Sequence, residues 1–128
     1  MPSDDALVAA ARAARSNACA RWSRFHVGAA LLTSDGRIYT GVNVECSSYG
    51  GTICAERTAL VKALSEGERD FVAIAVATSS AEPVMPCGLC RQLLFDYARE
   101  IRVIAVGERD VVRATLRELL PFGFEGPR

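Results

Sequence analysis

Four residues carry the clearest chemical signal in this chain: Cys54, Glu56, Cys87 and Cys90. The first pair lies in Thr52-Ile53-Cys54-Ala55-Glu56-Arg57 and the second in Pro86-Cys87-Gly88-Leu89-Cys90-Arg91. Two cysteines three positions apart at a helix start put both sulfurs on one face, within reach of a single ion. The positive end of the helix dipole favours thiolate over thiol. Three thiolates around Zn²⁺ leave a net charge of about −1, which two helix N-termini and Arg57 or Arg91 could offset. Three protein ligands leave the fourth tetrahedral position to water, which marks a catalytic rather than a structural zinc. Glu56 follows Cys54 at a spacing that does not bring both side chains onto one helix face. It is therefore expected to stand beside that water as a base and not to ligate the metal. Alone, Cys87 and Cys90 fit a redox or structural site about as well. The Cys-x-Glu element upstream turns the reading toward catalytic zinc, one ion per chain.

The rest of the composition removes whole classes of function. The 128 residues hold 15 basic and 15 acidic side chains, and the formal net charge is zero. That balance argues against a protein built on a phosphate backbone, and 7% aromatic content argues against a single-strand groove. No nucleic-acid partner is expected. The longest apolar runs, Val27–Leu32 and Phe71–Ala77, are far short of a membrane span. The N-terminus opens with Asp4 and Asp5, and Arg12 and Arg15 interrupt its alanines, which is neither a signal peptide nor a transit sequence. A cytoplasmic location with reduced cysteines is the expectation. The single histidine, His26, excludes metal sites that need several; it reads as a hydrogen-bonded or exposed side chain without chemistry. Cys19 and Cys46 read as ordinary small side chains.

The elements that would position the four residues follow from local signals. Ser3 can cap a helix from Asp4 to about Ala20. Phe25–Thr33 and Arg37 to about Val44 read as a hairpin around Ser34-Asp35-Gly36. Glu45–Thr52 is a loop, and Thr52 can cap a helix from Ile53 to about Glu66, stopped by Gly67. Phe71–Thr78 reads as a strand buried on both faces. Pro86 suits the first turn of a helix from Cys87 to about Arg99, with Leu89, Leu93 and Leu94 as its core residues. Ile101–Val106 is another apolar strand, and Thr115 to Glu118 has capping-box spacing ahead of Pro121. The order is helix, hairpin, helix, strand, helix, strand, helix, which gives one three-layer α/β domain with a mixed sheet over 1–128.

From about Ser16 to Gly126 the chain resembles the small, homotetrameric, zinc-dependent cytidine deaminases. The resemblance rests on Ser23-Arg24-Phe25-His26-Val27-Gly28-Ala29-Ala30-Leu31, Asn43-Val44-Glu45, Cys54-Ala55-Glu56-Arg57-Thr58-Ala59, Pro86-Cys87-Gly88-Leu89-Cys90-Arg91-Gln92 and Glu118-Leu119-Leu120-Pro121. It implies an α/β/α domain with a mixed five-stranded sheet, and zinc held by Cys54, Cys87 and Cys90. Arg57 would temper the thiolate charge. Phe25 would stack on the pyrimidine, Asn43 and Glu45 would bond the ribose 3′-hydroxyl, and Ala55 would join the substrate pocket. Tyr49 and Phe124 would close the pockets of neighbouring subunits.

The implied reaction is hydrolytic deamination of cytidine and deoxycytidine in pyrimidine salvage. Glu56 would move protons from water to ring N3 and to the departing amine, giving uridine or deoxyuridine and ammonia. Two departures stand out: Ala20-Arg21-Trp22 precedes Ser23 where the family usually has proline then tyrosine, and Cys46 stands where asparagine is common. Three rivals remain open at this point. One is a deaminase of a nucleoside antibiotic such as blasticidin S. Another is a noncatalytic zinc module, which would need a fourth protein ligand such as Cys46. The third is an oxidoreductase with a Cys87–Cys90 disulfide.

Overall fold

Alternating apolar residues that serve two opposite layers define the centre of the molecule. A computed structural model describes residues 1–127, so Arg128, the last residue of the expected domain, lies outside it. Strand β1 (Val27–Thr33) sends Val27, Ala29 and Leu31 to one face, and Ala30 and Leu32 to the other. Strand β3 (Phe71–Thr78) divides Ile74 and Val76 from Ala73, Ala75 and Ala77 in the same way. This two-residue period is what a strand covered on both sides requires. Strands β2 (Ile38–Val42), β4 (Arg102–Val106) and β5 (Val111–Thr115) complete a sheet of order β2-β1-β3-β4-β5. Only β3 and β4 run parallel; the other pairs are antiparallel, so the sheet is mixed.

Helix α1 (Asp4–Ala14) covers one face through Leu7, Val8 and Ala11. Ser3 caps it, accepting the Ala6 N–H at 3.1 Å. Helices α2 (Ala55–Ser65), α3 (Gly88–Tyr97) and α4 (Leu116–Leu119) cover the other face. The expected three layers are present. Small residues let the layers close tightly: a Cβ on Gly41 of β2 would lie 2.6 Å from the Ala55 carbonyl oxygen and collide with the Ala59 nitrogen. Helix α2 therefore rests backbone against backbone on β2.

Several boundaries differ from the sequence expectation, for identifiable reasons. Helix α1 ends at Ala14 and tightens into a 3₁₀ turn, Arg15–Asn17, instead of continuing to Ala20. There the Arg15 guanidinium donates to the Thr78 carbonyl and that of Arg12 to the Gly107 carbonyl, which pins the helix end to the strand ends. Helix α2 is capped by Cys54, not Thr52, whose hydroxyl instead accepts the Cys46 N–H at 3.2 Å. Pro86 precedes the cap of α3, which is Cys87, so it is not in the first turn. Leu89 is exposed and not a core residue, whereas Leu94 is fully buried. The hairpin, the Phe71–Thr78 strand and the Thr115–Glu118 capping box stand where the sequence put them. Among the described residues no helix is long and apolar enough to cross a membrane.

Candidate active site at two helix starts

One end of the sheet gathers the start of β1, the end of β2 and the end of β3, because Val27 pairs with Thr78 and Gly28 with Val42. The N-termini of α2 and α3 meet at this end. Cys54 and Cys87 are the N-cap residues of the two helices, and Cys90 lies in the first turn of α3. Their three sulfurs lie within 4.8 Å of one another. The Cys54–Cys87 separation is 3.7 Å and the Cys87–Cys90 separation 3.4 Å. Four ligands at the usual Zn–S length of about 2.3 Å in a tetrahedron stand about 3.8 Å apart, so these thiols fit zinc in spacing as well as softness. Among the described residues no fourth cysteine, histidine or carboxylate joins them. Cys46, the fourth ligand a closed structural site would have needed, is outside the cluster. His26 Nδ1 donates to the Arg24 carbonyl, 2.9 Å away, and is also outside it.

The charges follow the geometry. The neighbouring Cys90 thiol and the Arg57 guanidinium hold the pKa of Cys54 down to about 5, while the same pairing with Cys54, together with burial, pushes that of Cys90 up. One Arg57 nitrogen reaches the Thr52 carbonyl at 3.1 Å and the Cys54 sulfur at 3.9 Å. Arg91 makes no hydrogen bond to the thiols among the described residues: it donates to the Pro86 and Leu119 carbonyls at 2.6 and 2.8 Å, fastening the start of α3 to α4. Glu56 is 5% exposed. Burial pushes its carboxyl up to about 7, helped by the neighbouring Cys54 charge and opposed by its own backbone N–H and Arg57.

A cavity of about 280 Å³ opens onto these groups. Phe25, Asn43, Glu45, Cys54, Ala55, Glu56 and Cys87 all line it, so the structure brings together most of the residues singled out in the sequence. Phe25 is 39% exposed and belongs to this wall rather than to the core. Asn43, 7% exposed, is held between strands: its amide oxygen accepts the Val27 N–H at 3.0 Å and its amide nitrogen donates to the Phe25 carbonyl at 2.7 Å. Tyr49 and Phe124 do not line this cavity. They stand 75% and 66% exposed, Tyr49 at an adjoining hollow with Trp22, Ser23, Glu45 and Thr52. The sequence reading missed Ser23, Val84 and Met85 as wall residues. An apolar pair between Pro83 and Pro86 was the available signal for the last two.

Such thiols on an α/β/α frame, facing a cavity shared with a buried carboxylate, define a zinc-binding α/β protein with an open metal centre. The chain belongs to the cytidine and deoxycytidylate deaminases, whose family description, "Cytidine and deoxycytidylate deaminase zinc-binding region", matches residues 1–107. It is 48% identical over 120 residues to the cytidine deaminase of Halalkalibacterium halodurans, covering 92% of this chain and 91% of that one. It superposes on the crystal structure of a cytidine deaminase from Burkholderia pseudomallei with a TM-score of 0.94 at 44% identity, covering 96% and 100% of the two chains. A blasticidin-S deaminase of Bacillus cereus is more distant, 34% identical over 110 residues and covering 80% and 79%.

Proposed function

We propose that this protein is a cytidine deaminase that hydrolyses the C4 amino group of cytidine and deoxycytidine, releasing uridine or deoxyuridine and ammonia. The observation that carries the reading is the shared cavity: Cys54 and Cys87 of the zinc-competent cluster, a buried Glu56 and Phe25 line one space large enough for a base, with the third thiol, Cys90, buried behind them. Cys54, Cys87 and Cys90 hold the zinc, which when bound supplies a water of much lowered pKa. Phe25 presents an apolar face to the pyrimidine. Glu56 takes a proton from water and delivers it to ring N3, then carries a second to the C4 amine. The water oxygen bonds to C4, the C4–N bond breaks, and the amine leaves as ammonia. Glu45, with Asn43 beside it, faces the sugar and accepts its 3′-hydroxyl.

The wall also speaks for a nucleoside over a nucleotide. None of its residues is lysine, arginine or histidine, and Glu45 contributes negative charge, so a phosphate would enter without a counter-charge. Tyr49 and Phe124 are exposed and outside the lining of this cavity, so in this reading they are free to reach the sites of neighbouring copies of the chain. That supports a homotetramer whose subunits complete one another's sites. Residues 1–128 act as one domain, supported by a single five-stranded sheet. Five free thiols suit a reducing cytoplasm, where the reaction serves pyrimidine salvage.

The test is a substrate panel on the zinc-loaded protein, with its mass measured by sedimentation. Cytidine and deoxycytidine are expected to turn over within about tenfold of each other, and deoxycytidylate at least about 100-fold more slowly, as an unpaired buried charge predicts. Turnover confined to deoxycytidylate or to blasticidin S would sink the reading, and a monomeric active species would remove the role of Tyr49 and Phe124.

A further inference from the structure

The turn before β1 is wrapped around a carboxylate. The Trp22 and Ser23 N–H groups both donate to Glu45 Oε1, at 3.0 and 3.1 Å, and the Ser23 hydroxyl donates to Glu45 Oε2. The same Ser23 oxygen accepts the Phe25 N–H at 3.0 Å. Holding this loop shape requires Arg24 to take a left-handed conformation, φ 60°, which is unfavourable for a side chain with a Cβ. A serine hydroxyl has one proton and two lone pairs. Here the proton is committed to Glu45 and a lone pair to the backbone of Phe25. One side chain thus links the carboxylate that faces the sugar to the ring that faces the base, although Glu45 lies 22 residues away along the chain.

The donors also set what Glu45 has left to offer. An ionised carboxylate has about four acceptor positions. Two on Oε1 go to backbone N–H groups and one on Oε2 goes to Ser23. The remaining acceptor position is on the oxygen that Ser23 orients. It can take a hydroxyl donor, and it has nothing to give an ester or a phosphate at the same place.

We propose that Ser23 is a positioning residue for sugar recognition: its hydroxyl fixes the Glu45 carboxylate and the Phe25 backbone together, and the preference for a free sugar hydroxyl depends on it. The inference rests on the reading above in which Glu45 accepts that hydroxyl. Ser23 touches neither the thiol cluster nor Glu56 through any hydrogen bond among the described residues, so its loss acts on binding more than on the chemical step.

The experiment compares kcat and KM for cytidine and 3′-deoxycytidine in the zinc-loaded wild type, Ser23→Ala, Ser23→Gly and Ser23→Thr. The wild type is expected to favour cytidine by about 10- to 100-fold in kcat/KM, the worth of one hydrogen bond to a charged group. In Ser23→Ala and Ser23→Gly the preference falls to within about threefold, through a higher KM for cytidine with kcat little changed, and Ser23→Thr restores it. An unchanged preference in Ser23→Ala or Ser23→Gly overturns the proposal while leaving the sugar reading intact. So does an equal loss on both substrates, which would make Ser23 merely structural. A wild type that does not distinguish the two substrates fails earlier: it removes Glu45 from sugar recognition, and Ser23 with it. Should Ser23→Ala not fold, Ser23→Gly supplies the same comparison in a turn that accommodates glycine.

Discussion

Glu56→Gln is expected to lower cytidine turnover by about 10²- to 10⁴-fold, the range that a positioned general acid–base group supplies. Zinc content is expected to stay at one per chain, because Glu56 is not among the three clustered ligands. The glutamine keeps the shape of the side chain in its buried position and removes only the ability to take and return a proton. The variant is also expected to be at least as stable as the parent. A carboxyl that burial pushes up to about 7 is a group the fold holds at a cost, and a neutral side chain of equal size relieves it. Loss of activity with undiminished thermal stability and full zinc separates a chemical role from a structural one. Metal content and the fall in cytidine absorbance, read on the same sample, decide it. Retained turnover would take Glu56 out of the mechanism.

The second large effect comes from a residue with no chemistry. Gly41→Ala adds one methyl group where helix α2 lies on strand β2, 2.6 Å from the Ala55 carbonyl oxygen and in collision with the Ala59 nitrogen. Backbone cannot swing aside as a flexible side chain can, so the helix must move. Overpacking of this kind costs about 1–3 kcal/mol, and the upper end is expected here because both obstacles are main chain. For a domain of this size that lowers the melting temperature by roughly 8–12 °C. The displaced helix carries Cys54 at its cap and Glu56 in its first turn, so kcat should fall as well, by about tenfold or more. Gly50→Ala is the control, since a Cβ there meets nothing within 4 Å. Equal melting temperatures and rates for the two variants would show that α2 is not held by this contact.

The metal site was legible in the sequence because its parts are rare and local. Cys87 and Cys90 lie within one helical turn, and Cys54 and Glu56 within another, so spacing alone predicts their relation. The resemblance supplied the fifth strand, and the residues did not. Val111-Val112-Arg113-Ala114-Thr115 lies at the sheet edge, mostly exposed, and shows no apolar alternation. The starts of α2 and α3 were misread by only one or two residues, for one reason: Cys54 and Cys87 cap these helices, and no capping preference favours cysteine. Thr52, the better cap by type, serves the Cys46 backbone instead. The extent of α1 was overread because alanine-rich composition favours continuing a helix, whereas contacts of Arg12 and Arg15 with distant carbonyls mark where it stops. The polar residues that line the cavity were the least legible. Asn43 and Glu45 are unremarkable by type and neighbourhood, and the bonds that hold them cross 16 to 23 residues.

The caps of α2 and α3 have a consequence for how long the protein lasts. Neither Cys54 nor Cys87 makes a side-chain capping bond, so both helices begin without the stabilisation of about 1 kcal/mol that a serine or aspartate would give. What joins these two starts is the ion that their sulfurs are placed to share. Unfolding separates ligands 33 residues apart in the chain, so zinc binds the folded form and its binding energy becomes folding energy. Above the dissociation constant, each tenfold rise in free zinc then adds about 1.4 kcal/mol to stability. The lifetime of the protein in a cell is thereby tied to the metal supply, and a shortage of zinc would reduce its abundance as well as its activity.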